Sequence, residues 1–167
     1  PPRPDWQNRC EALGYTWHTE DSGSCWTENA VYELTEGEAG CLRSTANEAY
    51  ALLRQTAFEV MRRGWWARSG IADKDIALIT RSLEADEPVL CGRFDFLMNE
   101  SGQPKVLEYN SDGALTLLET AVIQRDWLHD QRPGFSQFNQ LRESLVEAWR
   151  QWHGQQCTHA EAGQRLL

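Results

Sequence analysis

The sequence has very few lysines and an excess of acidic residues. Only Lys74 and Lys105 occur among its 167 residues, and 16 Lys+Arg oppose 25 Asp+Glu, for a formal net charge of −9. Proteins that bind the phosphate backbone concentrate Lys and Arg to displace counterions. We therefore expect no nucleic-acid partner. No apolar run approaches the roughly 20 residues that span a bilayer, so we also expect no membrane partner.

The cysteines do not form a recognisable metal or redox motif. Their number is odd and no Cys-x-x-Cys pair occurs, which argues against a zinc ribbon or a thioredoxin-like site. The chain opens on Pro1 and Pro2 without an initiator Met or an apolar targeting segment, so its start looks trimmed. Unpaired thiols without a signal peptide fit a reducing compartment. We therefore expect a cytoplasmic protein.

The length of 167 residues suits one domain or part of a larger one, with enough chain to bury a core. Eight tryptophans are a high count. Three of them, Trp6, Trp17 and Trp26, lie near the start, where disordered segments would be poor in aromatics. We expect all three to pack in a core.

Four helices are predicted from capping and periodicity. The pair Thr45-x-x-Glu48 fits a capping box, and apolar residues at three- and four-residue spacing continue to a stop at Gly64. Shorter helices are predicted over 73–83 and 114–128, and Ser136 is the predicted cap of a last amphipathic helix. Together with a predicted hairpin before residue 114, these helices indicate an α+β fold.

That hairpin is the most informative stretch of the sequence. Residues 90–98 alternate in polarity, 99–104 have turn composition and 105–110 form a second short strand. If Ser101 and Gly102 form a two-residue turn, the numbers of paired residues have a constant sum of 203. A slip of two residues preserves which side chains share a face, whereas a slip of one residue reverses it.

Under this pairing Asp95 lies opposite Glu108, and Arg93 lies opposite Asn110. Opposed carboxylates repel unless a cation lies between them, and two carboxylates with an amide oxygen are hard ligands of the kind that Mg²⁺ accepts. Arg93 offers a planar fork for a phosphate or carboxylate oxygen. A surface hairpin with a salt-bridged cluster of little energetic worth fits the pattern equally well, and the residues alone leave both open.

Five short motifs occur along the chain: Arg3-Pro4-Asp5-Trp6, Tyr32-x-Leu34-Thr35, Arg93-Phe94-Asp95-Phe96, Gly102-x-Pro104-Lys105-Val106-Leu107-Glu108-Tyr109-Asn110-x-Asp112 and Leu117-Leu118-Glu119-x-Ala121. Together they resemble the glutathionylspermidine synthase family, from the start to about Trp149. The Arg-x-Asp and Glu-x-Asn combination is specific, and it is similar to that of eukaryotic-type glutathione synthetases. The resemblance implies that residues 1–167 are the N-terminal portion of an ATP-grasp acid–amine ligase, with a partial ATP-grasp-type fold.

The resemblance also implies the chemistry. In this family ATP activates a carboxylate as an acyl phosphate, and an amine then displaces the phosphate. Asp95, Glu108 and Asn110 match the Mg²⁺ ligands, and Arg93 matches the catalytic arginine that contacts the transferred phosphate and the acyl substrate. Arg93 and Asp95 are the residues assigned to ATP. The implied cofactors are Mg²⁺ and ATP, and the implied partners are a glutathione- or peptide-like acid and a polyamine.

The sequence departs from the family in two respects. Gly113 and Leu115 stand where hydroxyl residues help to hold glutathione, so the resemblance implies acid–amine ligation more directly than it implies glutathione. No glycine-rich phosphate-covering loop and no later pair of lysines is present. In this family those parts follow later in the chain, so we expect residues 1–167 to be inactive alone.

Two other functions remain open. An Asp and a Glu on adjacent strands also occur in metal-dependent nucleases, but these usually have a Lys where Asn110 stands, and the net charge is unfavourable for DNA. A non-catalytic small-molecule-binding module could keep the fold without the chemistry. The downstream lysines and glycine loop of the full-length sequence would distinguish the module from the ligase.

Overall fold

A computed structural model describes residues 2–111, 116–138 and 140–159, with the side chains of 154–159 left out. In this part of the chain the elements are, in order, α1 (Trp6–Ala12), β1 (Thr19–Glu20), β2 (Gly23–Ser24), α2 (Glu36–Arg63), α3 (Asp73–Glu84), β3 (Arg93–Met98), β4 (Pro104–Asn110), α4 (Gln124–Gln131) and α5 (Leu141–His159). The strands form two separate antiparallel pairs, β1–β2 and β3–β4. The predicted α+β class is confirmed. No helix in the described ranges is both long and apolar enough to cross a membrane.

The chain divides into two compact units. The first, which we call the terminal unit, consists of Pro1–Glu33 and Gly113–Leu167. The second, the central unit, is the continuous segment Leu34–Asp112 and carries the β3–β4 hairpin. All residues predicted to bind metal or ATP therefore lie in the central unit.

The terminal unit has a small apolar core around Cys10, Tyr15 and Ile123. Trp6 and Trp26 pack against this core, as the sequence predicts. The prediction for Trp17 is wrong, since that side chain is 76% exposed. Its neighbours Tyr15 and His18 take the buried positions on either side of it, which leaves Trp17 facing outward.

Arg3 is the centre of a buried ion-pair network in the same unit. Its Nε donates to Glu28 Oε2 and its Nη2 to Glu28 Oε1, both over 2.9 Å, while Nη1 donates to Asp126 Oδ2 over 2.6 Å. Trp26 Nε1 also donates to Glu28 Oε1, over 2.7 Å. Burial works against the charge on Glu28, but the hydrogen bonds from Arg3 and Trp26 hold the pKa of its carboxyl below the usual range.

α2 begins about ten residues before its predicted start. Thr35 is the N-cap, and its side chain and that of Glu38 form a reciprocal capping box with the backbone. Within α2 the side chain of Glu48 accepts from Ser44 Oγ over 3.1 Å, so the box predicted at Thr45 is wrong. Two glycines, Gly37 and Gly40, lower the helix propensity of the first turns and conceal the true start.

The ends of the other helices agree with the sequence only in part. α2 stops at Gly64, as predicted, in the left-handed conformation that glycine tolerates. α3 matches the predicted 73–83 closely. The predicted helix over 114–128 corresponds to a π-helical segment, Glu119–Ile123, that continues into α4, and positions 112–115 lie outside the described residues.

The cap predicted at Ser136 is also wrong, because α5 begins at Leu141. Gln137, which follows Ser136, donates from its Nε2 to the backbone oxygen of Thr120 over 3.1 Å. This bond ties the segment to the π-helical turn instead of leaving it to start a helix.

Candidate metal and phosphate site

The β3–β4 register places the four predicted site residues together. Arg93 pairs with Asn110, and Asp95 pairs with Glu108. These are the pairings that the sequence predicts. Because side chains alternate along each strand, all four project to one face of the hairpin. We call these four residues the polar face.

The same register arises in a way that the sequence did not predict. In the loop, Gly102 N donates to Asn99 O over 2.9 Å, and Gly102 has a φ of 73°. The turn is centred one residue earlier than predicted. Next to the loop the register is therefore shifted by one residue, and Phe96 lies opposite Val106. A β-bulge restores the pairing, because Leu107 has no partner of its own.

Contacts within the polar face join all four side chains. Arg93 Nε donates to Asp95 Oδ1 over 2.7 Å and Nη2 to Oδ2 over 3.2 Å. Arg93 Nη2 also lies 3.7 Å from Glu108 Oε1, which accepts a 2.9 Å hydrogen bond from Asn110 Nδ2. The Asp95 and Glu108 side chains are 36% and 59% exposed, so solutes can reach them.

The electrostatics keep this face charged. The hydrogen bonds from Arg93 hold the pKa of Asp95 below its usual range. The carboxylate of Asp95 in turn raises the pKa of Arg93. Asp95 is therefore an anion at neutral pH, as a metal ligand must be.

The opposite face of the hairpin is aromatic and anchors it to α2. The Tyr109 ring centroid lies 4.4 Å from that of Phe94 and 6.3 Å from that of Tyr50 in α2. Phe94 and Phe96 are 5.9 Å apart by the same measure. The polar face is thus one side of a hairpin whose other side packs on a long helix.

The close approach of Tyr109 to Gly92 was missed by sequence reasoning. A Cβ on Gly92 would lie 2.3 Å from Tyr109 Oη. The sequence feature that could have indicated this contact is Gly92 directly before β3, with Tyr109 diagonally opposite it on β4.

The donor set fits a hard divalent cation. Asn110 uses its Nδ2 in the bond to Glu108, so its amide oxygen is not engaged there and counts as a third oxygen donor on the polar face. The described residues contain no group of three or more His, Cys, Asp or Glu side chains that could hold a metal. A cation on the polar face would therefore have few protein ligands and would complete its shell with water or phosphate oxygens, as Mg²⁺ commonly does.

Sequence comparison decides the family. Residues 1–164 match the glutathionylspermidine synthase preATP-grasp family. The chain belongs to this family. A protein of Haemophilus influenzae named "Putative acid--amine ligase" is 31% identical over 153 residues, which are 88% of this chain and 38% of that relative. The chain therefore spans well under half the length of this curated relative. These matches confirm the resemblance that the five motifs indicate.

Asp112, Gly113 and Leu115, which the sequence analysis also named, lie outside the described residues.

Proposed function

We propose that this preATP-grasp chain supplies the metal- and phosphate-binding hairpin of an ATP- and Mg²⁺-dependent acid–amine ligase. The ligase would form an amide bond through an acyl phosphate, from a small-molecule acid and an amine. The observation that carries the proposal is the pairing of Asp95 with Glu108 on a face shared with Arg93 and Asn110. Membership of the family and the name of the Haemophilus influenzae relative support it.

In this proposal each residue of the polar face has its own part. Asp95, Glu108 and the amide oxygen of Asn110 bind Mg²⁺. When bound, Mg²⁺ neutralises charge that develops on phosphate oxygens. Asp95 orients Arg93 through two hydrogen bonds, to Nε and Nη2. Within the described residues Nη1 of Arg93 has no acceptor, so this nitrogen can donate to the transferred phosphate or the acyl group.

The acid substrate is the less specified partner. A glutathione- or peptide-like acid and a polyamine are the proposed pair, and the protein is proposed to act in the cytoplasm. Gly113 and Leu115 provide no side-chain hydroxyl to hold glutathione, so a different peptide-like acid would fit the same chemistry.

The proposal is tested by Glu108→Gln in the full-length protein. The substitution removes one metal-binding charge with little change of volume, so ATP-dependent ligation should fall by at least about a hundredfold. The matched control is Glu100→Gln, which removes the same charge from the exposed loop of the same hairpin. It should leave ligation unchanged.

Two measurements separate the outcomes. Phosphate release from ATP that depends on an added amine reports ligation, and electron paramagnetic resonance reports binding of Mn²⁺ alone as a substitute for Mg²⁺. Weaker Mn²⁺ binding in Glu108→Gln, without amine-dependent phosphate release in the parent protein, would indicate a binding module instead. Unchanged ligation in Glu108→Gln would exclude a metal role for the polar face. Residues 1–167 by themselves should release no phosphate.

A further inference from the structure

Tyr109 is the β4 residue between two members of the polar face. Glu108 precedes it and Asn110 follows it, and both side chains project to the face opposite to the Tyr109 ring. The centroid of this ring lies 4.4 Å from that of Phe94 and 6.3 Å from that of Tyr50 in α2. The position of this ring therefore sets the position of the backbone that carries two proposed metal ligands.

The ring can take this position because residue 92 has no side chain. A Cβ on Gly92 would lie 2.3 Å from Tyr109 Oη and 2.6 Å from both Cε2 and Cζ, far inside van der Waals contact. An aromatic ring that covers a glycine on the neighbouring strand is a recognised way to fix strand register. Any side chain at position 92 would displace the end of the Tyr109 ring, which packs against Phe94.

We propose that Gly92 and Tyr109 are positioning residues for the polar face: the Tyr109 ring, seated on Gly92, holds Glu108 and Asn110 in the geometry that binds the metal. This inference rests on the proposed function of that face. Neither residue belongs to the donor set, so both act through the ligands. Altering residues that support metal ligands commonly lowers metal affinity by about 10- to 100-fold.

The first test uses Gly92→Ala in the full-length protein. Mn²⁺ affinity, measured by electron paramagnetic resonance, should fall by about tenfold, and the apparent KM for Mg²⁺ should rise similarly. The kcat at saturating Mg²⁺ should stay within about twofold, because the ligands themselves are intact. Gly40→Ala is the matched control, since a Cβ at that position in α2 meets nothing within 4 Å. It should leave both metal readouts unchanged.

The second test asks whether Gly92 acts through the ring. Tyr109→Leu removes the atoms that a Cβ at position 92 would meet, and should itself weaken Mn²⁺ binding by about tenfold. Adding Gly92→Ala to Tyr109→Leu should then have no further effect. Tyr109→Phe keeps the ring and should keep the affinity of the parent protein.

Several results would overturn the inference. One is an equal loss of Mn²⁺ affinity from Gly92→Ala in the parent and Tyr109→Leu backgrounds. Another is a Mn²⁺ affinity in Gly92→Ala equal to that of the parent protein, while Glu108→Gln weakens Mn²⁺ binding. That result would leave the proposed function intact. If circular dichroism shows that Gly92→Ala does not fold, the comparison of Tyr109→Leu with Tyr109→Phe decides. Equal Mn²⁺ affinities in these two variants would overturn the inference. Unchanged affinity in Glu108→Gln would instead remove the proposed function, and the inference with it.

Discussion

Asp95 and Glu108 face each other across β3 and β4, and one guanidinium reaches both. Arg93 Nε is 2.7 Å from Asp95 Oδ1, and Arg93 Nη2 is 3.7 Å from Glu108 Oε1. Opposed carboxylates repel, so the arginine offsets a repulsion that the register would otherwise impose. The two carboxyl side chains are thus held close together, which is the preorganisation that the proposed metal site requires.

Arg93→Lys is expected to impair ligation while the positive charge remains. A lysine cannot donate two parallel hydrogen bonds to Asp95, so the cation loses its fixed direction. Arginines that stabilise phosphoryl transfer contribute about 10³- to 10⁵-fold to kcat, and a fall of at least about a hundredfold is expected here. Amine-dependent phosphate release by the full-length protein measures it. Arg81→Lys, in the last turn of α3 and so outside the hairpin, should retain the parent kcat. A parent-like kcat in Arg93→Lys would argue against a catalytic role.

Glu28→Gln is expected to destabilise the terminal unit strongly at neutral pH. It leaves Arg3, which is 3% exposed, with half of its compensating charge, and breaking a buried pair costs about 3–5 kcal/mol. Urea unfolding followed by tryptophan fluorescence measures this difference. Glu33→Gln breaks a 3.5 Å pair with Arg132 that is about half exposed, and should cost under about 1 kcal/mol.

The loss of unfolding free energy in Glu28→Gln should become smaller as the pH falls. Because the folded state holds the pKa of Glu28 below its reference value of 4.5, the carboxylate stabilises the protein fully above that pH. The stabilisation disappears as the pH falls through the lower, folded-state pKa. Parent and variant should therefore converge in acid. A difference that stays constant from pH 7 down to pH 2 would contradict this account.

Thr35→Ala is expected to weaken the start of α2. The substitution removes the side-chain oxygen that accepts from Glu38 N over 3.2 Å, and loss of such a cap costs about 1 kcal/mol. Thr45→Ala falls inside the same helix, where Ala has the higher propensity, and should be neutral or slightly stabilising. Hydrogen exchange of the first-turn amides measures both changes. Equal protection in the two variants would place the cap elsewhere.

The sequence predicted which residues of the polar face pair across the hairpin. It did not predict the shifted turn and the bulge that produce this pairing. Alternation predicted that the four side chains share one face, and the assumed turn at Ser101 and Gly102 predicted Asp95 opposite Glu108. The bulge at Leu107 was hidden, since it compensates a turn that is itself shifted by one residue. Two local irregularities that cancel leave no trace in the overall pattern.

Other features could not be predicted because their causes are distant in sequence or masked by glycine. The bond from Arg3 to Asp126 spans 123 residues, a separation that neither periodicity nor capping rules address. The box at Thr35 obeys the capping rule, but the glycines after it made Thr45 look like the better start. Local rules therefore succeeded where apolar spacing was regular, as in α3.

The division of the chain has a consequence for the order of its synthesis. The central unit is one uninterrupted segment, whereas the terminal unit takes residues from both sides of it. On the ribosome Arg3 can meet Glu28 early, but Asp126 emerges only after the whole hairpin has been made. The segment with the polar face is thus complete while the unit that encloses it in sequence still lacks its second half.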